Sequence, residues 1–281
     1  MNHFVREIFP DYDLHKRTGI PESLTIPPAE VAAQILIDVV ARGKFLQFVT
    51  LLIAAQDEGF MGRRYPITNL REIIKGTYEM GYMFDSVNKM FVEDPRYRKT
   101  RNWGVLEVGE EYMMTLLRID IVGNSNLVRK YPAEIINKTY TDLRRIVSEA
   151  ITKRNGRIWS WEGDGGLAAF HFGDKHRSVT LSAMEIIHDL FVYNRIKCPL
   201  DDPLKVRIGV HSGICEYTAS TEELEKMETF QEVDAIQRKA KPSTASVSIV
   251  VKVMLDEFIA SRLAPVDKRK NTDFRYSLSL G

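Results

Sequence analysis

The chain has 281 residues, with 39 Lys and Arg against 38 Asp and Glu and a hydrophobic fraction of 44%. That is enough for one large domain or two modest ones, and the near-neutral balance excludes a whole-protein field that would draw it to nucleic acid or an anionic membrane. Cys198 and Cys215 are too few and wrongly spaced for a disulfide framework or a zinc site, which fits a reducing cytoplasm.

At the N-terminus Arg6 and Glu7 interrupt the apolar stretch a secretory signal needs. The most apolar segment, Leu46 to Ala55, is about half the roughly 20 residues of a membrane helix, so it reads as a buried helix and no membrane span is expected. From Pro28, Val31, Ile35 and Val39 recur at helical spacing, and Phe45, Phe48, Val49, Leu52 and Ile53 resume it beyond Gly43. A third helix is expected from Asn69, whose side chain would cap it while Glu72 reaches back, through Ile73, Ile74 and Tyr78. The first hundred residues therefore read as all-helical. The polar, basic stretch Asp94 to Asn102 suits a connector, which places a domain boundary near residue 105 and makes 1–105 a small helical regulatory or recruitment region.

Beyond it, Met114 to Val122 reads as a strand, and Pro132 opens a helix with Ile136, Tyr140, Leu143, Val147 and Ile151 on one face. Arg157 to Glu162 and Gly166 to Phe172 form a hairpin around Gly163-Asp164-Gly165, with Trp159 and Trp161 expected on one face and Ser160 on the other. Leu181 to Val192 is helical, Val206 to His211 a strand, Val247 to Phe258 mostly helix, and Phe274 to Leu280 could close the sheet. Such alternation gives strands in one sheet with helices packed on it.

Two carboxylates occupy the places where chemistry is expected, Asp120 near the end of one strand and Asp164 at the hairpin tip. An aspartate beside glycine is ordinarily a turn former. If their strands are neighbours, however, the pair offers hard oxygens to a divalent cation. His171, His176 and His188 lack zinc spacing, and His211 reads as structural. The run Lys268-Arg269-Lys270 reads as a solvated loop.

Three blocks stand in order: Ile119-Asp120-Ile121-Val122-Gly123, Gly163-Asp164-Gly165-Gly166-Leu167-Ala168, and Val206-Arg207-Ile208-Gly209-Val210-His211-Ser212-Gly213. Through them the chain resembles the class III adenylate and guanylate cyclases over roughly residues 110–281. The resemblance implies an α+β fold, a ferredoxin-like βαββαβ catalytic domain over 106–281 following the helical region. It also implies a head-to-tail homodimer with active sites shared between subunits. Asp120, the Ile121 carbonyl and Asp164 would hold two ions, Mg²⁺ or Mn²⁺, per site, while Gly123, Asn124, Ser125 and Asn126 would cradle the triphosphate. Arg207 falls on a phosphate-contacting arginine. The implied reaction converts a nucleoside triphosphate to its 3′,5′-cyclic nucleotide.

A fourth block departs from the family. Where Val-Asn-x-Ala-x-Arg is usual, this chain has Val233-Asp234-Ala235-Ile236-Gln237-Arg238, keeping the arginine that would stabilise the transferring phosphate but placing a carboxylate where asparagine orients the ribose. The base-reading positions hold Ser160 and, in the segment before that block, Met227 to Thr229, neither the adenine-reading nor the guanine-reading pair. With retained metal residues and no membrane span, this resembles the pyrimidine cyclases of bacterial Pycsar anti-phage systems, whose cyclic UMP or cyclic CMP switches on a separate effector. UTP, then CTP, is the expected substrate. A divergent adenylate cyclase and a degenerate nucleotide-sensing domain are the alternatives, and the N-terminal helices could also act as a scaffold.

Overall fold

The computed structural model describes residues 2–97, 100–267 and 272–278 of a chain that separates into units 1–98 and 99–281. The run Lys268-Arg269-Lys270 and residues 279–280 lie outside the described residues. Among those described, no helix is long and apolar enough to cross a membrane.

The first unit carries α1 (Asn2–Arg6), α2 (Leu14–Thr18), α3 (Pro28–Ala41), α4 (Phe45–Asp57) and α5 (Leu70–Glu79). Pro28 opens α3 where its missing N–H costs nothing. Gly43, at φ +67°, supplies the left-handed turn that separates α3 from α4. Val31, Ile35 and Val39 bury one face of α3 against Val5, Phe9, Tyr12 and Leu14. Asp38, on the same helix and fully buried, is satisfied by Tyr12 Oη at 2.6 Å, Arg17 Nε at 2.9 Å and Gln34 Nε2 at 3.2 Å. The Arg17 hydrogen bond is the main reason its carboxyl lies well below the usual carboxylate range.

Two features differ from expectation. Asn69 does precede α5, but in the left-handed region at φ +62° with no side-chain cap, so the reach-back pair with Glu72 is not made. The unit also adds a hairpin, β1 (Tyr82–Asp85) and β2 (Met90–Glu93), in which Phe84 packs edge-on against Phe91. Strands of four residues are too short for alternation to betray them.

In the second unit β3 (Glu111–Ile121) leads through α6 (Asn124–Lys130) and α7 (Ala133–Thr152) to the hairpin β4 (Arg157–Glu162) and β5 (Gly165–Phe170). Then follow α8 (Lys175–Ile196), β6 (Val206–Glu216), α9 (Thr221–Lys226), α10 (Glu228–Lys239) and β7 (Thr244–Ser248). Short helices α11 (Ile249–Lys252) and α12 (Glu257–Ala260) and strands β8 (Ala264–Pro265) and β9 (Asp273–Ser277) complete the unit. The sheet runs β4-β5-β3-β6-β7-β9-β8, antiparallel except between β6 and β7. The α+β class and βαββαβ core are as expected. The segment expected to be mostly helix from Val247 is instead the end of β7 followed by the short helices α11 and α12; β7, Thr-Ala-Ser-Val-Ser, is buried throughout but too short and too polar in sequence to give a strand signal.

One sheet face packs on α7 and α8. Leu117, Ile119 and Ile121 of β3, Val206, Ile208 and Val210 of β6, and Leu143, Val147 and Ile151 of α7 form its core. The other face lies under α10. There β6 presents Gly209 and Gly213, where a Cβ would come within 2.6 Å of the Val233 carbonyl and 2.4 Å of Thr229 Oγ1 respectively. The helix therefore rests on the strand's backbone.

The connector expected over Asp94 to Asn102 is absorbed at both ends. Asp94 donates its backbone N–H to Gly81 O, and Arg101 donates to Trp159 O at 3.2 Å. Trp103, fully buried, donates Nε1 to Asn155 O at 2.7 Å and packs edge-on against Phe172. Residues 100–105 thus belong to the second unit, and a cut at 105 removes a buried indole. A chain starting at residue 100 should fold with a cooperative thermal transition, whereas one starting at 105 should lose about 3–5 kcal/mol, as large aromatic truncations do. Equal melting temperatures for the two chains would show that Trp103 is not part of this unit's core.

Candidate active site

β3 alternates, so that Ile119 and Ile121 enter the core while Arg118 and Asp120 face the α10 side. Asp120 stands in register with Gly165 of β5 on one side and Arg207 of β6 on the other. The β4–β5 turn delivers Asp164 beside it, with Gly163 at φ +50° and the Asp164 carbonyl accepting from Ile121 N at 3.2 Å. A Cβ on Gly165 would lie 2.6 Å from Ile119 O and 3.6 Å from Asp120 Oδ1, so only glycine lets the hairpin close against the carboxylate. Burial, then the neighbouring Asp120 carboxylate, push the Asp164 carboxyl above its ordinary value, against lowering by a backbone hydrogen bond and by Arg118.

Arg207 donates Nη2 to Asp120 Oδ2 at 3.0 Å and Nη1 to Arg238 O at 3.4 Å, leaving a buried Nε without a partner. It is therefore first a counter-ion of Asp120. In the segment expected to cradle phosphate, Gly123 is left-handed at φ +71° and α6 starts at Asn124. Asn126 N is already bonded to Gly123 O at 2.9 Å, and the Asn124 side chain accepts from Tyr140 Oη at 2.6 Å. Ser125 lies between them on the first turn.

On α10, Asp234 and Arg238 form an ion pair of 2.8 Å, with the arginine side chain 74% exposed. Asp234 also faces Arg118 Nε at 3.9 Å. The carboxylate that departs from the family pattern thus sits between two guanidinium groups, which neutralise the charge it adds. Arg118 drew no notice in the sequence, although its place two residues before Asp120 puts it on the same strand face. Among the described residues no hydrogen bond or ion pair joins the Asp234 or Arg238 side chains to Asp120 or Asp164. These are two side-chain clusters, a carboxylate pair and an α10 group, with Arg207 bonded to Asp120 of the first and to the Arg238 carbonyl of the second.

The base-pocket residues disperse. Ser160 is in register with Leu167, Leu167 with Arg118 and Arg118 with Gly209, so Ser160 faces the α10 side. Thr229 is buried, donates to Ile214 O at 2.6 Å and covers Gly213, which makes it a packing residue instead of a base reader. Met227 lines a separate cavity with Glu111, Ile214 and Glu223. Nor do the tryptophans share a face. A bulge at 158–160 takes Trp159 out of the ladder to pack edge-on against Tyr217, while Trp161 joins the core on the α7–α8 side.

The histidines stay apart, His171 on Met113 O, His176 on Ser212 Oγ and His188 on Tyr276 Oη. Burial lowers the His211 pKa. Among the described residues no group of three or more His, Cys, Asp or Glu could hold a metal ion. The Asp120–Asp164 pair is the available donor set. Two carboxylates brought side by side, without histidine or thiolate, form a hard-oxygen set, so the residues fit Mg²⁺ or Mn²⁺.

The sequence matches no protein-family model and no curated protein. The fold does have solved counterparts. The structure of an adenylate/guanylate cyclase/hydrolase from Silicibacter pomeroyi superposes with a TM-score of 0.50 at 20% identity, over 60% of this chain and 99% of that one. A double mutant of the guanylyl cyclase domain of the RhoGC fusion protein from the aquatic fungus Blastocladiella emersonii also reaches 0.50, at 15% identity over 62% of this chain and 98% of that one. The C-terminal unit therefore has the fold of a cyclase catalytic domain.

Proposed function

We propose that residues 99–281 form a nucleotidyl cyclase that converts a nucleoside triphosphate to its 3′,5′-cyclic nucleotide and pyrophosphate. The observation carrying this is the meeting of Asp120, on β3, with Asp164, on the β4–β5 turn, in a cyclase fold, where Gly165 lets that hairpin close on the β3 backbone. The ribose 3′ oxygen attacks the α-phosphorus and loses its proton to solvent; the new O–P bond replaces the bond to the β-phosphate oxygen, and pyrophosphate leaves. When bound, Mg²⁺ or Mn²⁺ at Asp120, Asp164 and the Ile121 carbonyl would supply Lewis-acid stabilisation of the phosphate charge. Arg207 holds Asp120 in place. From the α10 cluster, Arg238 offers an exposed guanidinium to the transferring phosphate and Asp234 an acceptor for a ribose hydroxyl. The active unit is a homodimer with two shared sites, a reading supported by the mostly exposed Arg238 side chain, which among the described residues bonds neither Asp120 nor Asp164 of its own chain.

The substrate is UTP, with CTP next, and the product is a second messenger read by a separate effector in bacterial anti-phage defence, in the cytoplasm; residues 1–98 regulate or recruit. Support for the base lies in what stands at the reading positions. Ser160 is too short to replace a lysine, and Thr229 is spent on packing. Incubation with UTP, CTP, ATP and GTP in equal amounts, with Mg²⁺ or Mn²⁺, should give cyclic UMP as the main product by mass spectrometry. Cyclic AMP or cyclic GMP as the main product would remove the pyrimidine reading, and no cyclic product with any triphosphate would favour a nucleotide-sensing domain.

A further inference from the structure

A cavity of about 580 Å³ lies on the α10 side of the sheet, lined by Arg118, Phe230, Asp234 and Arg238 among others. It holds both residues of the α10 cluster together with a residue from the metal strand. Arg118 is unusually uncommitted there. Its ion pair with Asp234, at 3.9 Å, is too long for a hydrogen bond, its Nε is buried without a partner, and among the described residues no acceptor bonds its guanidinium. The ring of Phe230, 5.7 Å from the guanidinium carbon, lies beside it. Ser160 stands in the same cross-strand row, two strands and roughly 10 Å away. The row thus has a short hydroxyl at its edge and a long cationic fork at its centre.

Resting on the cyclase reading above, we infer that Arg118 is a specificity-determining residue: its guanidinium donates to a carbonyl oxygen of the nucleobase, and the site takes carbonyl-bearing bases, uracil first, over adenine. A guanidinium is a donor only, so it requires an acceptor opposite it. Uracil presents two carbonyl oxygens, cytosine and guanine one each, whereas adenine presents only ring nitrogens, and on its outer edges N1 and N7 each lie beside the amino donor, which opposes a guanidinium fork. A site built to donate to a substrate group penalises the analogue lacking that group, because its polar atoms are left desolvated and unpaired. Asp234 keeps Arg118 charge-balanced and over the cavity without consuming its donors.

The test compares Arg118→Ala and the double variant Arg118→Ala/Asp234→Asn with wild type, reading kcat/KM for all four triphosphates. Base reading lowers the UTP-to-ATP ratio about 10- to 100-fold in the single variant and leaves it lowered in the double variant. A role confined to balancing Asp234 instead lowers all four rates alike and is rescued by the double variant, an outcome that overturns the inference. Calorimetric titration of Asp164→Asn protein, with and without Arg118→Ala, by UTP and by ATP covers the case of inactive variants; an unchanged ratio of dissociation constants also overturns it. If wild type cyclises no triphosphate, the cyclase reading falls, and the titration alone decides whether Arg118 reads the base.

Discussion

Asp120→Ala and Asp164→Ala should each abolish cyclic-nucleotide formation while leaving the protein folded. Every 1.36 kcal/mol of lost transition-state stabilisation is tenfold in rate, so removing one of two carboxylates from a metal site should cost on the order of three powers of ten or more. The fold should survive for different reasons at the two positions. Asp164 sits on a turn whose closure rests on backbone bonds, including Ile121 N to Asp164 O, that alanine keeps. Asp120 is in register between β5 and β6 with its side chain partly exposed, and its loss frees Arg207, which still holds the Arg238 carbonyl. Circular dichroism and thermal melts close to wild type, with cyclic product below a thousandth of the wild-type rate, are the expected pair of results. Wild-type turnover with unchanged metal dependence in both variants would dissolve the metal assignment.

Arg238→Ala should be as inactive as Asp164→Ala, yet mixing the two inactive proteins should restore activity. Among the described residues the Arg238 side chain bonds neither Asp120 nor Asp164 of its own chain, and it is mostly exposed, which leaves it available to a neighbouring subunit. Random exchange between equal amounts places half the protein in mixed dimers. In each of these, one site carries both defects and the other carries none. Recovery should therefore approach about a quarter of the wild-type rate, the arithmetic of an isologous dimer with two shared sites. Exchange demonstrated by mass-tagged subunits, with no activity returning, would mean that each site belongs to one chain.

What could be read in the sequence divides along physical lines. Asp120, Asp164 and the hairpin were legible because turn chemistry and strand ends are local, and because Gly163 and Gly165 mark the turn directly. Helices α3 and α4 of the first unit, and the body of α5, followed from periodicity, whereas the short α1 and α2 gave none. Trp159 and Trp161 misled because a bulge destroys the simple alternation that placed them together. Thr229 looked like a base reader by position along the chain, whereas its role comes from Gly213, a residue on another element. Arg118 was overlooked for a related reason. Its value lies in facing Asp234 from a different strand, and nothing in the run Leu-Arg-Ile-Asp marks a pairing across 116 residues, the separation from 118 to 234.

The bare backbone of β6 under α10 has a bearing on how this protein can be altered. With Val233 O and Gln237 N pressed onto Gly209, the height of the helix above the sheet is a hard stop set there by main-chain atoms, and at Gly213 the Thr229 side chain fills the remaining space. Redesign therefore has unequal freedom on the two faces. The α7–α8 side, filled by interlocking aliphatic chains, can be repacked with volume-conserving exchanges at modest cost. The α10 side admits not even a methyl group at those two positions, so attempts to re-engineer the pocket have to work through Arg118, Asp234 and their neighbours with the helix held at its present height.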